Sequence, residues 1–119
     1  MTQTDLTSQS QALARGQTTS VVLTEAVLAE IAVRNPHLKA YLHVDAEGAR
    51  RAAAASDARR ACGKTLGALD GTTVALKDNI DVAGLPTTAG MATRRGRVAN
   101  ADAFVVQTCV LGAPSSSAN

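Results

Sequence analysis

Residues 69–90 read LDGTTVALKDNIDVAGLPTTAG. Leu69, Asp70 and Gly71 have the composition of a tight turn, and the run 72–76, TTVAL, is β-prone and leads directly into Lys77, Asp78 and Asn79. A strand that delivers a polar cluster at its end is therefore predicted. Gly84, Pro86 and Gly90 then punctuate GLPTTAG as an ordered loop, since each frees or restricts the backbone in its own way. On residue chemistry alone, a lysine at a strand end such as Lys77 reads as a solvated charge. Asp78 and Asn79 suit either of two roles, fixing the loop through side-chain hydrogen bonds or simply making the turn, and Thr87 and Thr88 suit ordering their own loop.

Upstream, Asp5 and Gly16 bracket a short helix over 5–15. The run 20–35, SVVLTEAVLAEIAVRN, places Leu23, Val27 and Ile31 on one face and Glu25, Glu30 and Arg34 on others, and Asn35-Pro36 is expected to stop it. Residues 38–44, LKAYLHV, alternate apolar and polar as a strand does, and Asp45 then caps a helix over 46–62 that Gly63 ends. Downstream, Arg94, Arg95 and Arg97 form a basic, solvated loop, and Asp102 is placed to cap a last short helix, ADAFVVQ. Helices interleaved with two short strands predict an α/β fold. Two strands alone would leave a sheet edge open, which suggests a continuation of the chain.

Composition bounds what such a fold can do. Of the 45% of residues that are hydrophobic, alanine is the largest share with 24, and Tyr41 and Phe104 are the only aromatic residues. Alanine buries little area, and burial stabilises by about 25 cal/mol per Å², so a thin core and poor stability in isolation are expected. A formal charge of +2 does not argue for a nucleic-acid or membrane partner, and the three arginines lack interleaved aromatics. The N-terminus lacks the order of a secretory signal and no run reaches the roughly 20 apolar residues of a membrane helix, so a cytoplasmic protein is expected. Cys62, Cys109, His37 and His43 fall into no metal-ligand spacing, and no cofactor motif is present.

The segment 69–90 resembles the amidase-signature family, whose members carry a block like LxGxPxxxKDN followed within a few residues by GxPTTxG. The resemblance extends upstream through TTSVVLTEAVLAEIAVRNPHLKAYL and downstream to ADAFVVQ, nearly the whole chain through Gln107. Thr73 stands where proline is common and Met91 where a small polar residue is frequent, departures that bear on substrate class more than on membership. The resemblance implies the N-terminal portion of a large mixed sheet covered by helices, and it implies that Lys77 is the base of a Ser-Ser-Lys triad acting on a small-molecule amide. The Gly/Ser-rich signature that supplies both serines is expected beyond Gln107, and PSSSAN, with Ser115, Ser116 and Ser117, lacks its flanking glycines.

At TCVLGAPSSSAN the resemblance stops abruptly. Codons allowed for these residues, read two bases later, can spell LRAGGAVILGK, which is similar to the family's usual continuation. Residues 1–107 are therefore expected to be the N-terminal portion of an amidase domain, and 108–119 an aberrant, frameshifted tail. The functional expectation is an amidase-family fragment that is inactive alone for want of its nucleophile. The alternatives are a fragment of an amidotransferase subunit with a partner subunit, or a non-catalytic module in which the helix starting at Ser20 offers an apolar face to another chain.

Overall fold

The computed structural model describes residues 5–111. Among these, four helices form: α1 (Leu6–Ala14), α2 (Ser20–Leu38), α3 (Ala46–Ala61) and α4 (Phe104–Leu111), with a single 3-10 turn at Ala92–Arg94. The fold divides after Thr73 into two compact units.

In the first unit local chemistry sets the helix ends. The Asp5 carboxylate accepts from the Ser8 amide at 2.7 Å, and the Asp45 carboxylate from the Gly48 amide at 3.1 Å, each satisfying a first-turn donor that has no partner inside its helix. Both α1 and α3 close with the paired bonds of a Schellman ending. Gly16 and Gln17 donate to Leu13 and Ala12, and Gly63 and Lys64 donate to Arg60 and Arg59. The N-terminus of α2 is capped twice. Thr19 takes the Val22 amide, while Asp57, reaching over from α3, takes the amides of Ser20 at 2.7 Å and Val21 at 3.1 Å.

Helices α2 and α3 pack against each other. The buried positions at their faces are small, Ser20 and Thr24 on α2 and Ala53 and Ser56 on α3, which lets the backbones approach closely. Glu25 and Arg50 pair across the exposed rim at 2.6 Å. Leu13 of α1 is the large apolar side chain sealed in this unit. Gly71, at φ +96°, presses against the same cluster, where a methyl group would stand 3.0 Å from Ser56 Oγ and 3.3 Å from Leu13 Cδ1. The predicted turn at 69–71 is present, closed by Thr72 N–H on the Leu69 carbonyl.

The second unit is mostly loop. Its segments are tied by the Thr87 amide on the Arg97 carbonyl, the Ala99 amide on Leu85 and the Gly84 amide on Ala99, with an antiparallel bridge pairing Pro86 and Val98. Thr87, Ala99 and Val106 fill its interior. Among the described residues the buried apolar set is Leu13, Ala53, Ala99 and Val106, a core as thin as the alanine content implies.

Three expectations are corrected. Pro36 does not stop α2: the helix runs through it to Leu38 and ends at Lys39, whose amide still donates to the Asn35 carbonyl and whose left-handed φ of 51° turns the following chain out of the helix. Proline costs the Ala32 carbonyl its usual donor but is tolerated near a helix end, where carbonyls already lack partners. The two strands, at 38–44 and 72–76, are not formed, and the sheet of the α/β expectation is absent among the described residues, leaving helices and loops. Alternation marks a segment able to join a ladder, but a ladder needs a second strand. Here the Asn35 side chain acts as a substitute partner, accepting from the Tyr41 amide at 2.9 Å and donating to the Tyr41 carbonyl at 3.0 Å. Helix α4 starts at Phe104, and Asp102 does not cap it: its carboxylate takes the Ala83 amide at 2.7 Å instead. The boundary expected after Gln107 falls inside α4, and Ser115, Ser116 and Ser117 lie outside the described residues.

Candidate functional site

Lys77 opens a turn closed by the Ile80 amide on the Lys77 carbonyl at 3.0 Å. Its side chain is exposed, and among the described residues no hydrogen bond or ion pair engages it. Of the two roles open to Asp78, the loop-fixing one is realised. Its Oδ1 accepts from the Thr88 amide at 3.0 Å, its Oδ2 accepts from the Thr88 hydroxyl, and its backbone carbonyl accepts from the Ala89 amide at 2.8 Å. The Thr88 hydroxyl in turn accepts from the Gly90 amide at 3.3 Å. The Thr88 hydroxyl, then its amide, hold the Asp78 carboxyl below the usual carboxylate range, against a small opposing effect of burial and with the Gly90 amide assisting. Asn79 is exposed.

A second clamp lies beside the first along the chain. Arg97 grips Asp81 with two guanidinium nitrogens, at 2.9 and 3.3 Å, and also reaches the Thr87 carbonyl at 3.4 Å. Arg97 is the main reason the Asp81 carboxyl is held low, with the nearby Thr87 hydroxyl contributing. That hydroxyl is buried without a hydrogen bond of normal geometry to any described residue. The Asp81 carbonyl receives the Ala103 amide at 2.9 Å, so residues 77–103 form one laced loop around Thr87. Arg97 is exposed, as expected of it along with Arg94 and Arg95, but it also pairs with a carboxylate sixteen residues away, a contact with no local signature.

In the first unit the densest polar cluster surrounds Asp70, a residue the sequence suggested only for a turn. Its carboxylate accepts from Ser56 Oγ at 2.8 Å, Arg59 Nη2 at 2.7 Å, Arg59 Nε at 3.1 Å and the Leu66 amide at 3.0 Å, while its carbonyl accepts from Arg60. The Arg59 guanidinium, followed by the Leu66 amide and the Ser56 hydroxyl, holds this carboxyl far below the usual range despite burial that opposes it. With every acceptor occupied, the cluster is architectural. A groove of about 270 Å³ also lies in this unit, between α2 and the segment after it, lined by Val27, Ile31, Leu38 and Tyr41 with Glu30 and Arg34 at its rim. No three His, Cys, Asp or Glu side chains gather as a metal site among the described residues, and no helix of those residues is long and apolar enough to cross a membrane.

Comparison with known proteins fits this geometry into a wider pattern. The model of the amidase family matches residues 22–110. The A subunit of the glutamyl-tRNA(Gln) amidotransferase of Chloroflexus aurantiacus is 48% identical over 85 residues, which cover 71% of this chain and 18% of that protein. Its counterpart in Myxococcus xanthus is 45% identical over 106 residues, covering 87% of this chain and 22% of its own length. Among solved structures, a peptide amidase in complex with the competitive inhibitor chymostatin superposes with a TM-score of 0.85 at 31% identity, covering 94% of this chain and 23% of that one. A vestigial protein complex linked to the origins of an s-triazine catabolic enzyme gives 0.85 at 32% identity, covering 90% and 24%. The described fold is thus part of the fold those proteins share, and the chain spans about a fifth of the length of the curated relatives it matches.

Proposed function

Because the chain belongs to the amidase family, we infer that it carries the lysine of an amide-hydrolysing site, Lys77, and that the 119-residue polypeptide does not hydrolyse amides by itself. In the full reaction a serine oxygen attacks the amide carbon while its proton passes through a bridging serine to the Lys77 amine. Collapse of the tetrahedral intermediate expels the amine, which takes up that proton, and water then releases the acyl group from the serine. Backbone amides stabilise the oxyanion. The substrate class is a carboxylic amide.

The observation that carries this reading is the pairing of a laced loop with a free lysine at its first turn. Asp78, Thr88, Asp81 and Arg97 fix the backbone on which Lys77 stands, and the lysine side chain is left unengaged by the described residues. The same exposure supports the reading that the chain is inactive alone. A lysine acts as a base where burial keeps its amine neutral, and the residues around Lys77 supply none of that burial. Residues 39–44 and 72–76 expose Leu42, Val44, Val74 and Leu76, as segments awaiting the other strands of a mixed sheet would. By the same reading the protein works in the cytoplasm beside a partner chain, in keeping with its likeness to a protein named as one subunit of an amidotransferase.

Two experiments test this. Release of ammonia from simple amides should be undetectable with the 119-residue chain; release that Lys77→Ala abolishes would overturn the inactivity. In a hybrid in which residues 22–107 replace the matching segment of the Chloroflexus amidotransferase chain, Lys77→Ala should abolish amidotransferase activity. A hybrid indifferent to that substitution would remove Lys77 from the chemistry.

A further inference from the structure

We propose that Asp78 is a positioning residue, which sets the place and the freedom of Lys77 by latching the turn that carries it to Thr88. The proposal rests on the reading of Lys77 as the base, while the latch itself stands on geometry. An aspartate in a turn ordinarily bonds to its own backbone two residues on. At this turn the amide two residues on, that of Ile80, goes to the Lys77 carbonyl, and the Asp78 carboxylate reaches ten residues forward instead. Both of its oxygens are taken by one residue, Thr88, through amide and hydroxyl together, and its carbonyl takes the next amide, that of Ala89. Three bonds to two consecutive residues leave the turn little freedom to rotate about Lys77. The same contacts hold Ala89 at a left-handed φ of 51°, a conformation that a non-glycine residue adopts only when its surroundings impose it.

The latch has a second effect. Lysine and aspartate adjacent in sequence are free to pair, and a lysine so paired would make a poor base, because a carboxylate favours the protonated amine. With both Asp78 oxygens committed to Thr88, no such pair forms among the described residues, and Lys77 is left unengaged. Thr88 thus keeps the neighbouring carboxylate away from the amine, and the hydroxyl that does so is itself tied to the Gly90 amide at 3.3 Å.

The test uses the full 119-residue chain and the variants Thr88→Val and Thr88→Ser, neither of which alters the charge at Asp78. Acetylation of Lys77 by acetic anhydride is followed by mass spectrometry of the Lys77 peptide across pH, with amide hydrogen exchange at residues 88–90 and far-ultraviolet circular dichroism as companions. In Thr88→Val the amide of residue 88 keeps its bond to Oδ1 but Oδ2 is freed and turns to Lys77, so the pH of half-reactivity rises by about half a unit, acetylation at fixed pH slows about threefold, and exchange at 88–90 quickens about tenfold. Thr88→Ser restores all three, and dichroism is unchanged throughout. An acetylation profile identical in wild type and Thr88→Val, or one shifted equally by Thr88→Ser, would overturn the proposal. Should Thr88→Val lose its helical signal, Asp78→Asn decides: it weakens the latch while removing the charge, so exchange at 88–90 must quicken, and unchanged exchange refutes the latch. The hybrid with Lys77→Ala tests the base reading separately, since these readouts need no catalysis.

Discussion

Replacing Asp70 with alanine removes the acceptor for four hydrogen bonds at once, from Ser56, from two nitrogens of Arg59 and from the Leu66 amide. The Asp70 side chain is only 5% exposed, whereas that of Arg59 is 34% exposed. Deleting one member of a buried pair costs about 3–5 kcal/mol, chiefly because the other charge is left without a partner. Arg59 recovers water at its exposed side, so the lower end, about 3 kcal/mol, is expected. In urea, with a slope of about 1 kcal/mol per M for a chain of this size, that is a fall of about 3 M in the midpoint followed by far-ultraviolet dichroism. Acidity supplies an independent check. Because the native environment lowers the Asp70 carboxyl, the unfolded state binds its proton first as pH falls; the stabilisation is complete above about pH 4 and fades below it. The wild type should lose stability steeply below pH 4, and Asp70→Ala should lose the part of that slope due to this group. A midpoint change under about 1 M, or identical acid slopes in the two proteins, would refute the view that Asp70 organises the first unit, and would place the cluster among screened surface pairs.

Gly71→Ala forces a side chain into φ +96° and brings its methyl to 3.0 Å from Ser56 Oγ and 3.3 Å from Leu13 Cδ1 and Ser20 Cβ, so a loss of about 2 kcal/mol in urea unfolding is expected, and a neutral result would mean that the cluster yields freely. Asp57→Ala uncovers the first amides of α2 and should cost about 1–2 kcal/mol with faster hydrogen exchange at Ser20 and Val21, whereas Asp57→Asn, which keeps an acceptor, should cost less; equal losses would rule out capping as the cause.

What the sequence discloses follows the range of the forces involved. Helix starts at Asp5 and Asp45, endings at Gly16 and Gly63, the turn at 69–71 and the punctuated loop at 84–90 are decided within a few residues, and all are legible. The two strands mislead because period-two alternation records a capacity to pair, while pairing depends on residues elsewhere. Pro36 misleads because its cost depends on where in the helix it falls. At the candidate site, Lys77 and the Asp78–Thr88 loop stand out because they share one short block. The Asp81–Arg97, Asp70–Arg59 and Asp57–Ser20 contacts link residues 16, 11 and 37 positions apart, and nothing in composition or spacing announces them.

The cap that Asp57 lends to α2 also imposes an order of events on the growing chain. Synthesis runs from the N-terminus, so the residue that satisfies the first amides of α2 is added 37 codons after Ser20 itself. Until then Thr19 alone guards that end. Asp70 and Gly71, which brace Ser56 and Ser20, arrive later still. The full set of contacts that fastens α2 to α3 therefore exists only once the turn at 69–71 has been made.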